Sequence, residues 1–314
     1  MMSERVTMDE TRPDTRRAKI RVPGTTANLG SAFDAVGLAL QLYLRLDLVR
    51  LGSGPSRLEY SGQDEHLIPP DESNLIWRVM AQVAAEHGTQ LPPFSLKVEN
   101  DIPITKGLGS SASACLAGAA AADFLCGLQL QPGDFLKTAA TLEGHPDNVA
   151  PALYGGLVAS ISGEQILCSR SAFPSHWTVV AVTPAFELET KKARAVLPRQ
   201  VPHADAVFNV QRAAFLMAQI VQGCREGLRQ AMTDRLHQPY RSGLLPGLRE
   251  ILEMDDCEGL LGIALSGAGS TVVAFADARA GEIGSLISAV FARHGLASQV
   301  RLLKADNAGM VIET

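Results

Sequence analysis

The stretch Pro103-Ile104-Thr105-Lys106-Gly107-Leu108-Gly109-Ser110-Ser111-Ala112-Ser113-Ala114 constrains this chain more than any other. Ahead of it, Phe94–Val98 predicts a strand. After it, the small residues from Ser111 to Leu125 predict a helix opened by hydroxyl residues that suit an N-cap. Two glycines permit left-handed backbone angles and close approach of a ligand. Such a loop delivers N–H groups at a helix N-terminus, where unpaired donors and the positive dipole end favour an anion. The residues predict a phosphate cradle, with a ligand-free, glycine-rich helix entry as the bland alternative.

Two better-known phosphate loops are excluded. The pattern G-x-x-x-x-G-K-[ST] occurs nowhere, because Lys106 precedes the first glycine. Gly107-x-Gly109-x-x-Ala112 imitates half of a dinucleotide fingerprint, but residues 100–106 intervene where the glycines should follow the strand directly. A length of 314 residues suits two packed domains, and a net charge of −5 argues against nucleic acid as a partner. The most apolar run, 112–125, is too short to span a membrane and is interrupted by Asp123. Residues 1–17 are polar, without the apolar segment of a signal peptide, and read as a disordered tail. Five cysteines show no C-x-x-C pair and no histidine at metal-ligand spacing, and their odd number suits reduced thiols. These features predict a soluble, cytoplasmic protein.

Along the chain, Lys19–Val22 predicts a strand and Val36–Val49 a long antiparallel one, with 56–60 as a possible partner. Ser73 is placed as the cap of a helix reaching about His87, with Ile76, Val79, Met80 and Val83 on its apolar face. A second helix is expected from Pro132 to Leu142, a turn at His145–Asn148, and strands at 155–161 and 178–183. The polar stretch 163–175 suggests the domain boundary, giving halves at 18–168 and 169–314. Helices are expected at 188–196 and 203–221, and the end reads β-β-α-β-β from Leu260 to Ile312. Both halves therefore read as α+β.

The loop P-x-x-x-G-L-G-S-S-A resembles the central motif of the GHMP small-molecule kinases. Val22-Pro23-Gly24-Thr25-Thr26-Ala27-Asn28-Leu29-Gly30-Ser31-Ala32-Phe33-Asp34 resembles their first motif, and Leu265-Ser266-Gly267-Ala268-Gly269-Ser270-Thr271 their third. A fourth stretch, Glu143-Gly144-His145-Pro146-Asp147-Asn148-Val149-Ala150-Pro151-Ala152, is similar to the homoserine kinase branch. The resemblance spans about 19–314. It implies a ribosomal-S5-like N-terminal domain that binds ATP, a ferredoxin-like C-terminal domain, ATP and L-homoserine as substrates, Mg2+ as cofactor, and a homodimer.

Phosphoryl transfer to an alcohol depends mainly on positioning and charge stabilisation. The resemblance assigns ATP binding to Asn74, Pro103 and Lys106 through Ser113, and metal binding to Ser110 and Glu143. Read without it, Lys106 is equally a solvated loop lysine, Asn74 a structural residue at a helix start, and Glu143 an exposed helix-end carboxylate. Homoserine is a zwitterion, whose carboxylate suits the planar fork of arginine. The resemblance places Asn28, Asp34, His145, Asp147, Asn148, Arg194 and Arg241 on the substrate, with Asp34, Asn148 and Arg194 nearest the chemistry. The alternatives are Asx-turn chemistry for Asn28 and Asp34, a helix cap for Asp147, and surface positions for either arginine. No general base is evident, so Asp34 and Asn148 are expected to orient the hydroxyl. Ser270 stands where the family usually has proline, and Gly-Ser-Ala-Phe replaces the commoner Gly-Pro-Gly-Phe. Another GHMP kinase of a small alcohol, or a non-catalytic metabolite sensor, would share the same loop.

Overall fold

The computed structural model describes residues 16–255 and 257–314. Of the tail expected at 1–17, residues 1–15 lie outside this range, and Arg17 already opens the first strand. The elements run β1 (Arg17–Ala27), β2 (Val36–Arg50), β3 (Arg57–Gly62), α1 (Leu75–Glu86), β4 (Phe94–Asn100), α2 (Ser110–Cys126), α3 (Pro132–Glu143), α4 (Val149–Tyr154), β5 (Leu157–Ile161) and β6 (Leu167–Ser171). They continue β7 (Thr178–Pro184), α5 (Thr190–Ala195), α6 (His203–Gln222), α7 (Leu228–Ala231), α8 (Gln238–Arg241), α9 (Leu248–Leu252), β8 (Leu260–Leu265), β9 (Val272–Ala276), α10 (Ala280–Arg293), β10 (Ser298–Leu303) and β11 (Val311–Glu313).

The first sheet runs β11-β1-β2-β4-β3, with β5 paired to β2 and β6 to β5. The long β2 pairs with β1 along one edge. Its other edge is shared between β5 at residues 36–38 and β4 at 44–50. Three elements depart from the sequence reading. β3 pairs parallel with β4, not with β2. The reason is α1, which lies between β3 and β4 in the chain and carries it back to the same end of the sheet. The polar stretch at 163–175 contains β6, so the boundary expected at 168/169 falls inside a strand. The last strand, β11, returns to pair with β1.

The second sheet is antiparallel in the order β10-β7-β9-β8, the ferredoxin-like arrangement expected for this half. Alternation along β7 serves two cores. Val179 and Ala181 face the large core shared with the first sheet, and Val180 and Val182 face the core under α9 and α10. Each of the three valines, fully buried, contributes about 1.5–3 kcal/mol relative to exposure. In the first half, α2 is buried almost all round, as its alanines and serines allow, and packs against α1 and α3. Among the described residues, no helix is long and apolar enough to cross a membrane.

Candidate active site

The phosphate loop is built by diverting three carbonyls. In a helix continued backwards, the N–H groups of Ser110, Ser111 and Ala112 would donate to the carbonyls of Lys106, Gly107 and Leu108. Those carbonyls accept instead from Thr271 N (3.0 Å), Ser266 Oγ (2.6 Å) and Thr25 N (2.9 Å). The first intrahelical-type bond is Ser113 N to Gly109 O at 2.9 Å. Among the described residues, nothing accepts from the three N–H groups before it, so they stand ready for an anion. Gly107 and Gly109 have φ of +78° and +73°. A Cβ on Gly107 would lie 2.2 Å from Ser266 O, and one on Gly109 2.0 Å from Thr25 Oγ1. The same ties bring the first and third motifs against the central one.

These motifs line a cleft of about 500 Å³ that also receives Asn28, Asp34, Asn74, Pro103, Lys106, Glu143, His145, Asp147, Asn148, Arg194 and Arg241. Leu108, Ala112 and Ser113 do not line it. Leu108 and Ala112 are buried in the core, and Ser113 Oγ donates to Pro23 O at 2.8 Å. Two side chains are occupied differently from the sequence expectation. Lys106 Nζ donates to Phe186 O at 2.9 Å, across to the second half of the chain, where Ser270 Oγ donates to the same carbonyl at 2.6 Å. Asn74, not Ser73, caps α1. Its Oδ1 accepts from Ile76 N (2.9 Å) and its Nδ2 donates to Pro69 O (3.0 Å), while Ser73 is held by Asp71.

At the start of α2, the hydroxyl that meets Glu143 is Ser111, whose Oγ donates to Glu143 Oε1; Ser110 lines the cleft beside it. Cys115 approaches the same carboxylate from the core, and burial, reinforced by Glu143, pushes its thiol up to about 12. Among the described residues no cluster of three or more His, Cys, Asp or Glu could hold a metal. Two hydroxyls and one carboxylate fit a hard cation that takes its remaining ligands from phosphate and water, as magnesium does.

The far end of the cleft is charged. Arg194 on α5 donates to both oxygens of Asp34, at 2.9 and 3.0 Å, with each side chain a little over a third exposed. Asn28, with φ +72°, donates through Nδ2 to Gly267 O (3.0 Å) and accepts from Asp34 N (2.9 Å), which aims the aspartate into the cleft. Asn148 accepts from Thr25 Oγ1 at 2.9 Å and donates to Asp147 Oδ1 at 3.3 Å. His145 Nδ1 lies 2.5 Å from the same oxygen. Burial alone would depress the imidazole, but Asp147 outweighs it and raises its pKa above the ordinary value.

Arg241 is only 1% exposed, yet no carboxylate among the described residues lies within ion-pair distance of it. Its Nε donates to Ala193 O (3.1 Å) and its Nη1 to Gly267 O (2.9 Å). Burial, with Arg194 nearby, lowers its pKa to about 10. Asp34, Asp234 and Asp147 offset part of that burial from a distance; a buried guanidinium with no carboxylate in contact remains costly, and a ligand carboxylate would supply the direct partner. Thr25, Asn209, Asp234 and His237 support this end and were not singled out from the sequence. His237 carried a signal, since it lies one helical turn before Arg241.

The model for the GHMP kinases N terminal domain matches residues 74–156, and that for the GHMP kinases C terminal domain matches 216–293. A homoserine kinase of Moorella thermoacetica is 41% identical over 93% of this chain and 99% of its own, and one of Solibacter usitatus is 44% identical over 89% and 92%. The crystal structure of homoserine kinase from Cytophaga hutchinsonii superposes with a TM-score of 0.82 at 25% identity, covering 100% of both chains. With both domains matched and relatives this similar over nearly its whole length, the chain belongs to the homoserine kinase family of the GHMP kinases.

Proposed function

We propose that the protein transfers the γ-phosphoryl group of ATP to the side-chain hydroxyl of L-homoserine, forming the new P–O bond as the bond to ADP breaks, and giving ADP, O-phospho-L-homoserine and the hydroxyl proton, which leaves through a phosphate oxygen. One observation carries the reading: Ser110 and Ser111, with their free N–H groups at the start of α2, and the buried Arg241, which no carboxylate among the described residues contacts, line the same cleft. The loop binds ATP phosphates through the N–H groups of Ser110 and Ser111, which line the cleft. Ser110, Ser111 and Glu143 would hold magnesium, which when bound neutralises charge on the phosphates.

At the far end, the Asp34–Arg194 pair opens to admit the zwitterion. Asp34 takes the ammonium, and Arg194 and Arg241 take the carboxylate, so two ion pairs replace one. Asn148, held by Thr25 and Asp147, orients the hydroxyl. No side chain in the cleft is set up as a strong base, so catalysis rests on positioning and charge stabilisation. The product belongs on the route to threonine. The reading includes a cytoplasmic location, which five free thiols suit. It also includes a homodimer, for which the outward face of α6, with Val210 70% exposed and Val221 53%, offers a surface.

A coupled ADP-release assay with magnesium-ATP, comparing L-homoserine, L-serine, mevalonate and shikimate, tests the reaction. Turnover with L-homoserine alone supports the reading. Turnover with another alcohol overturns the substrate, and tight ATP binding with no turnover would mark a sensor.

A further inference from the structure

His237 is fully buried, and every polar group around it has a fixed role. Its Nε2 lies 2.8 Å from Gly30 O, an acceptor only, and 3.6 Å from Asp234 Oδ2. Its Nδ1 lies 3.2 Å from Nη1 of Arg241, a donor only. The single arrangement that satisfies both contacts is a neutral imidazole with the proton on Nε2. Burial, with Arg241 alongside, outweighs Asp234 and holds the ring below the usual histidine range, consistent with that neutral form.

The ring is itself anchored. Phe33 stacks on it at 5.0 Å between centroids, and the Arg241 guanidinium lies over the same Phe33 ring, 5.4 Å from its centre. Behind it, buried Asp234 accepts from the backbone N–H groups of Leu236, His237 and Gln238 and from Asn209 Nδ2, at 2.6–2.9 Å. The same Asn209 Nδ2 donates to Ser31 O at 2.9 Å. His237 thus joins the first-motif loop, which carries Asp34, to the guanidinium at the carboxylate end. With Nε on Ala193 O and both Nη1 hydrogens directed to Gly267 O and His237 Nδ1, Nη2 is the guanidinium nitrogen of Arg241 with no hydrogen-bond partner among the described residues.

We propose that His237 is a positioning residue for substrate recognition: by accepting from Arg241 Nη1 while donating to Gly30 O, it turns the remaining N–H groups of Arg241 toward the substrate carboxylate. The proposal rests on the function given above for the bulk of its readout. It concerns how the carboxylate is held, not the phosphoryl step.

Two variants separate the two hydrogen bonds. His237→Gln places an amide N–H near Nε2 for Gly30 but leaves Arg241 without its acceptor. His237→Asn places an oxygen near Nδ1 for Arg241 but leaves Gly30 without its donor. We expect His237→Gln to raise KM for L-homoserine about tenfold, the effect of about one lost hydrogen bond to a charged group. KM for ATP and kcat/KM for 3-aminopropan-1-ol, which lacks the carboxylate, should stay within about twofold. His237→Asn should recover most of the L-homoserine affinity. Equal losses for ATP or for 3-aminopropan-1-ol would show a merely structural residue and overturn the proposal. So would a better KM in His237→Gln than in His237→Asn. The ring ¹⁵N spectrum of the unmodified protein at neutral pH provides a readout independent of activity and of variant folding. Protonated Nε2 with bare Nδ1 is expected, and a proton on Nδ1 would overturn the proposal even if no alcohol were phosphorylated, an outcome that would separately refute the reaction.

Discussion

The two ends of the cleft are made of different material. The phosphate end is main chain: three N–H groups freed because the carbonyls behind them bond to Thr25, Ser266 and Thr271. The substrate end is side chain: Asp34, Arg194 and Arg241, drawn from segments as much as 160 residues apart for the Asp34–Arg194 pair alone. A backbone site tolerates many side chains but not a Cβ at its glycines. A side-chain site tolerates backbone adjustment but not loss of a charge. One end is therefore encoded by residue absence and the other by residue presence.

The largest test of this contrast removes a charge. Arg241→Ala should lower kcat/KM for L-homoserine by about 10²–10³-fold, the scale of truncating a buried charged partner. KM for ATP should change little in the same steady-state assay. Adding a methyl group at the other end should do the opposite. Gly107→Ala places a Cβ against Ser266 O at a φ of +78°, and such strain costs about 1–3 kcal/mol. ATP titration calorimetry should show roughly tenfold to hundredfold weaker binding, accompanied by a lower Tm. Comparable damage to ATP binding in both variants would break the distinction.

A smaller effect is expected from Glu143→Gln, which keeps the shape and the contact to Ser111 but removes the charge. The magnesium concentration for half-maximal activity should rise several-fold, about the effect of 1–2 kcal/mol at one ligand. L-Homoserine binding measured without nucleotide should be unaffected. The smallest is a pH effect on stability. Asp147 raises the His145 pKa in the folded state above its unfolded value of about 6.5. Stabilisation from that pair is then complete below about pH 6.5 and is lost as pH rises through the folded value. Thermal melts should show Tm declining over that interval in the wild type and less so in His145→Asn.

Legibility in the sequence follows the same division. Glycine spacing reports backbone geometry directly, so the loop, its helix and the neighbouring motifs could be read from residues 22–34, 103–114 and 265–271. The β-β-α-β-β run of the second half was equally accessible, because β8 and β9 are short apolar runs and α10 is amphipathic, whereas its ferredoxin-like order came from the family resemblance. Pairings set by long-range topology were less accessible. β3 gives no local sign that it joins β4, and β6 is short and polar because none of its residues is buried. Side-chain partners were least accessible. Whether Glu143 meets Ser110 or Ser111 depends on the rotation of α2 and α3, and Lys106 finds Phe186 only because the halves pack together. Asp234 looks like any loop aspartate until its four donors are in place.

The central claim is that Arg241 stands ready for the carboxylate of an amino-acid alcohol. The most direct measurement is kcat/KM for L-homoserine and for 3-aminopropan-1-ol, in the wild type and in Arg241→Ala. The account predicts a preference of at least about 10²-fold for L-homoserine in the wild type, falling toward parity in the variant. An unchanged preference in the variant, or none in the wild type, would contradict it.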